Sequence, residues 1–314
     1  MTNLEMKITV GIPSFGRPEF LVLTARQVLA QNHPAVCEII VADQTPWDDI
    51  DKNWQDAIAR IRQEPLVQYF TLEKPNLPGA RNFILQKAKG ELIIWLDDDV
   101  LLPPGFIEAH RRSYLTDNCG GSVIAVAGNP IHRVMEMPDE RLIDFDNYKK
   151  YCSPHYAEPT VFTCDWQQSM IGANHSVLRS YAIEAEGYDE NILGGYAEDT
   201  DFTCRLKKRF PEKSITYNPD AWVIHLRSKT GGCRIEKRNK WSEYATVIGP
   251  HLCYARHKQG ISFFQSIRMS PLRRENVIHF WRQPMAWFDF SKSLVIAYLL
   301  RKKVKSPFQS QAKR

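Results

Sequence analysis

Four short apolar runs, separated by stretches with helical spacing, dominate the first hundred residues and leave few folds open. Residues 7–13 read as a buried strand ended by a proline. Residues 18–31 read as a helix with Phe20, Leu21, Leu23, Val28 and Leu29 at helical spacing and Pro18 near its start. Glu38 to Asp43 is a second apolar run that closes on a carboxylate. Residues 50–63 carry Ile50, Trp54, Ile58 and Ile61 on one helical face, and residues 67–72 form a third strand. Pro78 and Gly79 precede a helix over 80–89 that Gly90 ends; residues 91–96 then form a fourth strand that runs into Asp97-Asp98-Asp99. This alternation specifies an α/β fold with a mostly parallel sheet covered by helices. Ligands of such sheets bind beyond the carboxyl ends of the strands. Three of the four runs end there in notable residues: Pro13-Ser14, Asp43 and Asp97-Asp98-Asp99.

Further along, the pattern predicts a helix over 104–114, a strand over 122–128, a loop-rich stretch over 130–165, a helix from Phe202 to Phe210 and a strand over 214–226. With 43% hydrophobic and 25% charged residues the 314-residue chain is of globular type, with ample core. Seven scattered cysteines without a Cys-x-x-Cys pair argue against a disulfide framework or a zinc knuckle and favour a reducing compartment. The start shows no signal-peptide core, and no run of 18 apolar residues exists, so a cytoplasmic protein is expected.

The aspartate triplet carries the strongest chemical signal. Carboxylates two residues apart can converge on one hard cation, and a cation there would neutralise two phosphates. A solvated acidic turn is the bland alternative, but three acids directly after Ile-Ile-Trp-Leu are unusual for one. Neither G-x-G-x-x-G nor G-x-x-x-x-G-K occurs, which weighs against dinucleotide oxidoreductases and P-loop enzymes and leaves phosphate binding to a metal. Glu198-Asp199-Thr200-Asp201 precedes the helix at 202, where acids are good caps; the functional alternative is a general base. His225, after an apolar run, is a candidate metal ligand or a structural histidine.

In this order and spacing the motifs resemble those of the family 2 inverting glycosyltransferases, over residues 7–228. Val10-Gly11-Ile12-Pro13-Ser14-Phe15-Gly16-Arg17 is similar to that family's first strand and loop. Asp43 stands where the family has a base-binding acid, and Asn76-Leu77-Pro78-Gly79-Ala80-Arg81-Asn82 resembles its Gly-x-x-x-Ala-Arg-Asn element. Asp97-Asp98-Asp99, followed by Pro103 and Pro104, resembles its D-x-D loop. Gly172-Ala173-Asn174, Arg179, Gly187-Tyr188-Asp189-Glu190 and Glu198-Asp199 look like its acceptor-side elements.

The resemblance implies the GT-A fold, a Rossmann-like nucleotide-diphospho-sugar transferase arrangement. It implies Pro13, Ser14, Arg17, Asp43, Asn76, Gly79, Arg81, Asp97 and Asp98 on the nucleotide-sugar, and Asp99, Asp97 and His225 on a divalent metal, Mg or Mn. It implies Asp199 as catalytic base, with Gly172, Ala173, Asn174 and Glu198 on the acceptor side. Arg227 and Lys229, in the basic glycine-rich stretch after His225, are expected on the diphosphate. The expected donor is a UDP-sugar and the acceptor a glycan or lipid-linked hydroxyl, as in assembly of a bacterial-type surface glycan. A nucleotidyltransferase and a catalytically silent nucleotide- or glycan-binding module are the alternatives.

The net charge of +5 hides an asymmetry that bears on partners. Residues 251–314 hold thirteen basic residues, two acids and ten aromatics, a net of +11 against −6 for the first 250. The expected organisation is a catalytic domain over 1–250, with a nucleotide half over 7–128 and an acceptor half over 129–250, and a helical basic extension over 251–314. Cations interleaved with aromatics suit an interfacial helix on anionic lipid, placing the enzyme on the inner face of the cytoplasmic membrane. A helical bundle packed on the catalytic domain and a single-stranded nucleic-acid surface are the other readings. Membrane is preferred because a lipid-linked acceptor resides there; no nucleic acid is expected.

Overall fold

The structure is a computed structural model that describes residues 6–115, 123–133, 137–139, 142–150, 160–161, 169–192, 198–228, 231–232 and 306–308. The expected helical extension therefore lies outside the described residues, apart from 306–308. The chain runs β1 (Ile8–Ser14), α1 (Pro18–Ala30), β2 (Val36–Asp43), a 3-10 turn (Trp47–Asp49), α2 (Lys52–Arg62), β3 (Val67–Thr71), α3 (Leu77–Lys87), β4 (Leu92–Leu96) and β5 (Val100–Leu101). It continues through α4 (Phe106–Leu115), β6 (Val123–His132), α5 (Phe145–Lys149), β7 (Thr160–Val161), β8 (Asn174–Leu178), α6 (Arg179–Glu184), α7 (Glu198–Arg209) and β9 (Ser214–His225).

One sheet orders the strands β3-β2-β1-β4-β8-β6-β9-β5, with β7 added against β9. Strands β1 to β4, β6 and β9 share one direction, while β5, β7 and β8 oppose it. The result is the expected α/β architecture with a mostly parallel sheet between helices. Alternate side chains of a strand face opposite layers. Ile8, Val10 and Ile12 of β1 and Leu92, Ile94 and Leu96 of β4 join Leu21, Ile58 and Phe106 in one core. Ile93 and Trp95 face the other core with Ile84, Leu85, Phe202 and Leu206. Gly11 lies between Ile84 and Trp95, and a β-carbon there would come 2.9 Å from each, so the strand needs a glycine at this point. Phe308 is buried in the same second core, against Gly187.

Several boundaries differ from the sequence reading. Helix α3 begins at Leu77, because the Asn76 carbonyl side chain accepts from the Gly79 N–H and caps the turn; Pro78 and Gly79 lie inside the first turn. Gly90 does not end that helix, which stops at Lys87; its N–H bonds the Thr9 hydroxyl instead, at 2.9 Å. The acidic cluster at 198 does not precede α7 but forms its first turn. The strand expected over 122–128 extends to His132, alongside β9. Within the stretch expected to be loop-rich, the described residues include the end of β6, α5 and β7.

Candidate functional site

The carboxyl ends of β1, β2 and β4 deliver Ser14, Asp43 and Asp97–Asp99 to one side of the sheet. The three aspartates divide. Asp98 turns inward and is 1% exposed. Its carboxylate accepts the Ser14 hydroxyl at 2.6 Å and pairs with the Arg17 guanidinium. Asp99 is equally buried and takes the other arm of Arg17 at 2.7 Å and the Ser228 N–H at 2.9 Å. Its Oδ1 accepts no hydrogen bond of good geometry, and His225 Nε2 lies 3.3 Å away. Asp97, partly open to solvent, approaches the same nitrogen at 3.8 Å. One ligand atom each from Asp97, Asp99 and His225 fit within 4.8 Å of one another.

Strand β9 and the chain after it frame this group. His225 is the last residue of β9 and pairs in register with Val100 on one side and His132 on the other. The Leu226 N–H bonds the Asp99 carbonyl at 2.9 Å, which ties the loop to the aspartates. The Gly232 N–H returns to the Phe15 carbonyl at 2.6 Å, and Gly231 and Gly232, both at positive φ, pack on Arg17. Arg227 is exposed, with φ +51°, and Lys229 lies outside the described residues.

A second acidic centre stands across Arg81. This guanidinium is 1% exposed and reaches Glu198 Oε1 at 2.7 Å and Asp97 Oδ1 at 3.6 Å. It lies over the Tyr188 ring, 5.3 Å from its centroid. Tyr188 stacks on Phe202 and donates its hydroxyl to His175 Nε2 at 2.7 Å. Asp199 accepts the Gly172 N–H on Oδ2 at 2.8 Å and the Thr200 N–H on Oδ1 at 2.7 Å. The first turn of α7 thus carries one acid bound by an arginine and one held by two backbone N–H groups and, at 3.4 Å, the Thr200 hydroxyl.

The electrostatics differ between the centres. Burial raises carboxyl pKa values, and nearby cations lower them. For Asp99 burial is outweighed by His225, Arg17 and the Ser228 N–H, and its carboxyl falls to about 2. Asp98 is pushed up to about 7, because burial outweighs Arg17 and the Ser14 hydroxyl. Asp199 is also pushed up to about 7, first by burial and then by Glu198, with Arg81 opposing. His225 is raised because the two aspartates outweigh its own burial.

Other residues named from the sequence turn elsewhere. Asn174 is fully buried and takes His110 Nε2–H on its oxygen at 2.8 Å while donating to the Ala221 carbonyl at 2.8 Å. Ala173 is buried, and its carbonyl accepts the Asp97 N–H at 3.4 Å. Of Gly172-Ala173-Asn174 only Gly172 touches Asp199, since β8 enters the sheet antiparallel and draws the following residues inward. Arg179 sits at the far end of β8, opposite the start of β4, and donates to the Leu85 carbonyl. Asn76 and Gly79 form the α3 cap, and Asn76 also donates to the Glu190 carbonyl. Pro13 is buried within β1. Asp43 is 1% exposed, with the Thr45 N–H and hydroxyl on one oxygen and the Tyr69 hydroxyl on the other.

Thr45, Tyr69 and His132 join the site without being marked by any sequence motif, whereas Tyr188 lies in the Gly187-Tyr188-Asp189-Glu190 element. For Thr45 the signal was an Asx-type spacing two residues after Asp43. For Tyr69 and His132 it was only strand pairing or packing, which spacing does not reveal.

Comparison with known proteins agrees with this arrangement. The profile described as Glycosyl transferase family 2 matches residues 9–170. A putative teichuronic acid biosynthesis glycosyltransferase, TuaG of Bacillus subtilis, is 27% identical over 46% of this chain and 58% of its own. The succinoglycan biosynthesis protein ExoM of Rhizobium meliloti is 26% identical over 71% of this chain and 68% of its own. The match to TuaG thus spans less than two thirds of that relative. Among solved structures, S. aureus TarS 1–349 superposes with a TM-score of 0.61 at 14% identity, covering 93% of this chain and 81% of that one. Mannosyltransferase PcManGT from Pyrobaculum calidifontis gives 0.53 at 15% identity, over 98% and 79%. These likenesses extend the shared fold beyond the profile match, and the chain belongs to glycosyl transferase family 2.

Proposed function

We propose that the protein is a metal-dependent, inverting glycosyltransferase that moves a sugar from a nucleotide-sugar to a hydroxyl group of a glycan or lipid-linked acceptor. The observation that carries this reading is a division of labour at one end of the sheet. Asp97, Asp99 and His225 converge within 4.8 Å, while Asp199 is held apart from them by backbone N–H groups. Arg81 spans the space between, with one arm on Glu198 and the other toward Asp97.

The donor set fits a divalent cation, Mg or Mn. It offers two carboxylates and one imidazole, and the buried Asp99 Oδ1 lacks a well-aligned donor. A cation bound there would stabilise the negative charge that develops on the leaving diphosphate. Arg17 holds Asp98 and Asp99 in place, and Ser14 fixes Asp98 from the opposite side. Asp43 acts as the nucleobase-side acid, oriented by Thr45 and Tyr69. Arg227, exposed on the loop after His225, acts on the diphosphate together with Lys229.

Asp199 takes the proton from the acceptor hydroxyl as its oxygen attacks the anomeric carbon in line with the leaving group, so one displacement inverts that centre. The Gly172 and Thr200 N–H groups each hold one oxygen of the carboxylate and keep it aimed. Glu198 is tied to Arg81, and its role is to support Asp199 on the acceptor side.

The choice of donor follows related structures. TarS has been crystallised with UDP-GlcNAc and PcManGT with GDP-Man and Mn2+. TuaG is named for teichuronic acid biosynthesis and ExoM for succinoglycan biosynthesis, which favours a glycan acceptor. Among the described residues no helix is long and apolar enough to cross a membrane. Approach to a membrane-borne acceptor falls to the +11 C-terminal stretch on anionic lipid at the cytoplasmic face. The test is a transfer and hydrolysis screen over UDP- and GDP-sugars with MnCl2 or MgCl2. Release of nucleoside diphosphate from one class, abolished by Asp199→Asn, supports the reading; release from none, with any cation, rejects it.

A further inference from the structure

We propose that His132 is a positioning residue for the metal centre: it accepts a hydrogen bond from His225 Nδ1–H and so keeps the Nε2 lone pair of His225 directed at the space between Asp97 and Asp99. The inference rests on the metal reading above and adds to it a residue outside the ligand set.

The argument begins with strand register. His132 and His225 end β6 and β9, which run parallel with these two residues in register. The Arg133 N–H bonds the His225 carbonyl at 2.9 Å and locks the pair of strand ends. Their rings sit 5.1 Å apart, and the two Nδ1 atoms are 3.2 Å from each other. The opposite nitrogen of His225, Nε2, lies 3.3 Å from Asp99 and 3.8 Å from Asp97. Each nitrogen of His225 therefore has its own neighbour, imidazole on one side and carboxylates on the other.

Neutral imidazole carries one N–H and one lone pair. Two neutral rings that face each other through Nδ1 share one proton in the contact. Were His132 the donor, His225 would carry its hydrogen on Nε2, aimed at Asp99, and would have no lone pair for a cation. With His225 as donor, Nε2 is the free base. A metal-ligating histidine typically gives its other N–H to an acceptor that fixes tautomer and ring orientation, and losing that acceptor weakens metal binding about 10–100-fold. His132 is the group in position to be that acceptor. It is exposed, so its replacement leaves the buried core intact.

The experiment pairs two measurements on the full chain. Isothermal titration with MnCl2 compares wild type, His132→Ala, His132→Gln and His132→Lys, with thermal melts as the control for folding. The Ala and Lys variants, which have no side-chain acceptor, are expected to bind Mn2+ about 10–100-fold more weakly. The Gln variant, whose amide oxygen can replace the imidazole acceptor, is expected to recover most of that loss. Affinities within twofold of wild type for all three overturn the inference. Long-range 15N NMR at pH 9, with both rings neutral and MgCl2 at the lowest concentration that saturates wild type, reads the tautomer directly. A His225 Nδ1–H tautomer in wild type that is lost in His132→Ala supports the assignment, and an Nε2–H tautomer in wild type overturns it. Failure of wild type to bind Mn2+ at all would instead defeat the metal reading on which it stands.

Discussion

Arg81 of α3 and Glu198 of α7 form a buried ion pair, 2.7 Å long, although they stand 117 residues apart in sequence. Arg81 is held above its already high ordinary pKa because Glu198, and more weakly Asp97, outweigh its burial. Removing one member of a buried pair strands the other charge, at a cost of about 3–5 kcal/mol. Arg81→Met should therefore lower unfolding free energy by about that amount in urea titrations. The double variant Arg81→Met with Glu198→Gln should recover part of it. A loss below about 1 kcal/mol in the single variant would show that solvent screens the pair.

The pH dependence of transfer follows from Asp199. A base must be ionised, and Asp199 is pushed up to about 7 by burial and by Glu198. Its active form is absent well below that value and complete above it, so kcat/KM should rise with pH through about 7. Glu198→Gln removes the like charge and frees Arg81 to act on Asp199, and both changes move the rising limb to lower pH. A limb that stays in place would assign the titration to another group.

Asp199→Asn should leave nucleotide binding near normal, since its hydrogen-bond partners are the Gly172 N–H and the Thr200 N–H and hydroxyl. Loss of a general base costs about 10²–10⁴-fold. Single-turnover transfer with equilibrium titration of the nucleoside diphosphate measures both quantities, and retained transfer would reject Asp199 as the base.

Excess EDTA should abolish transfer, and added MnCl2 or MgCl2 should restore it. Asp99→Asn removes a ligand but also a partner of Arg17 and of the Ser228 N–H. Its melting temperature must be read beside its cation affinity. Full activity in EDTA would take the cation out of the scheme.

Gly11→Ala tests the packing of β1 between Ile84 and Trp95. An added methyl in such a site costs about 1–3 kcal/mol. Calorimetry should show a lowered melting temperature with nucleotide affinity little changed.

Much of this organisation is legible in the residues themselves. The runs ending at Ser14, Asp43 and Asp97 announce strands, and parallel topology brings their ends together without any motif. Helix α3 starts three residues before the expected 80, because the Asn76 cap draws Pro78 and Gly79 into its first turn. The roles of Asn174 and Arg179 were hidden for a different reason. Strand β8 runs against β4, and direction reverses which end of a motif reaches the site. The contacts of Arg81 with Glu198 and of Tyr69 with Asp43 depend on packing between distant elements, which local pattern does not encode.

The burial of Phe308 changes how the basic C-terminal stretch should be studied. The Gly232 N–H is bonded to the Phe15 carbonyl, and Phe308 is packed against Gly187 in the second core. Deleting 270–314 to ask about lipid would extract a buried ring as well, a loss of about 3–5 kcal/mol that could pass for a binding defect. Charge should be edited and length kept. Replacing Arg301, Lys302 and Lys303 by glutamine should weaken flotation with anionic vesicles while leaving the melting temperature unchanged. Equal flotation by both proteins would separate this basic cluster from the membrane question altogether.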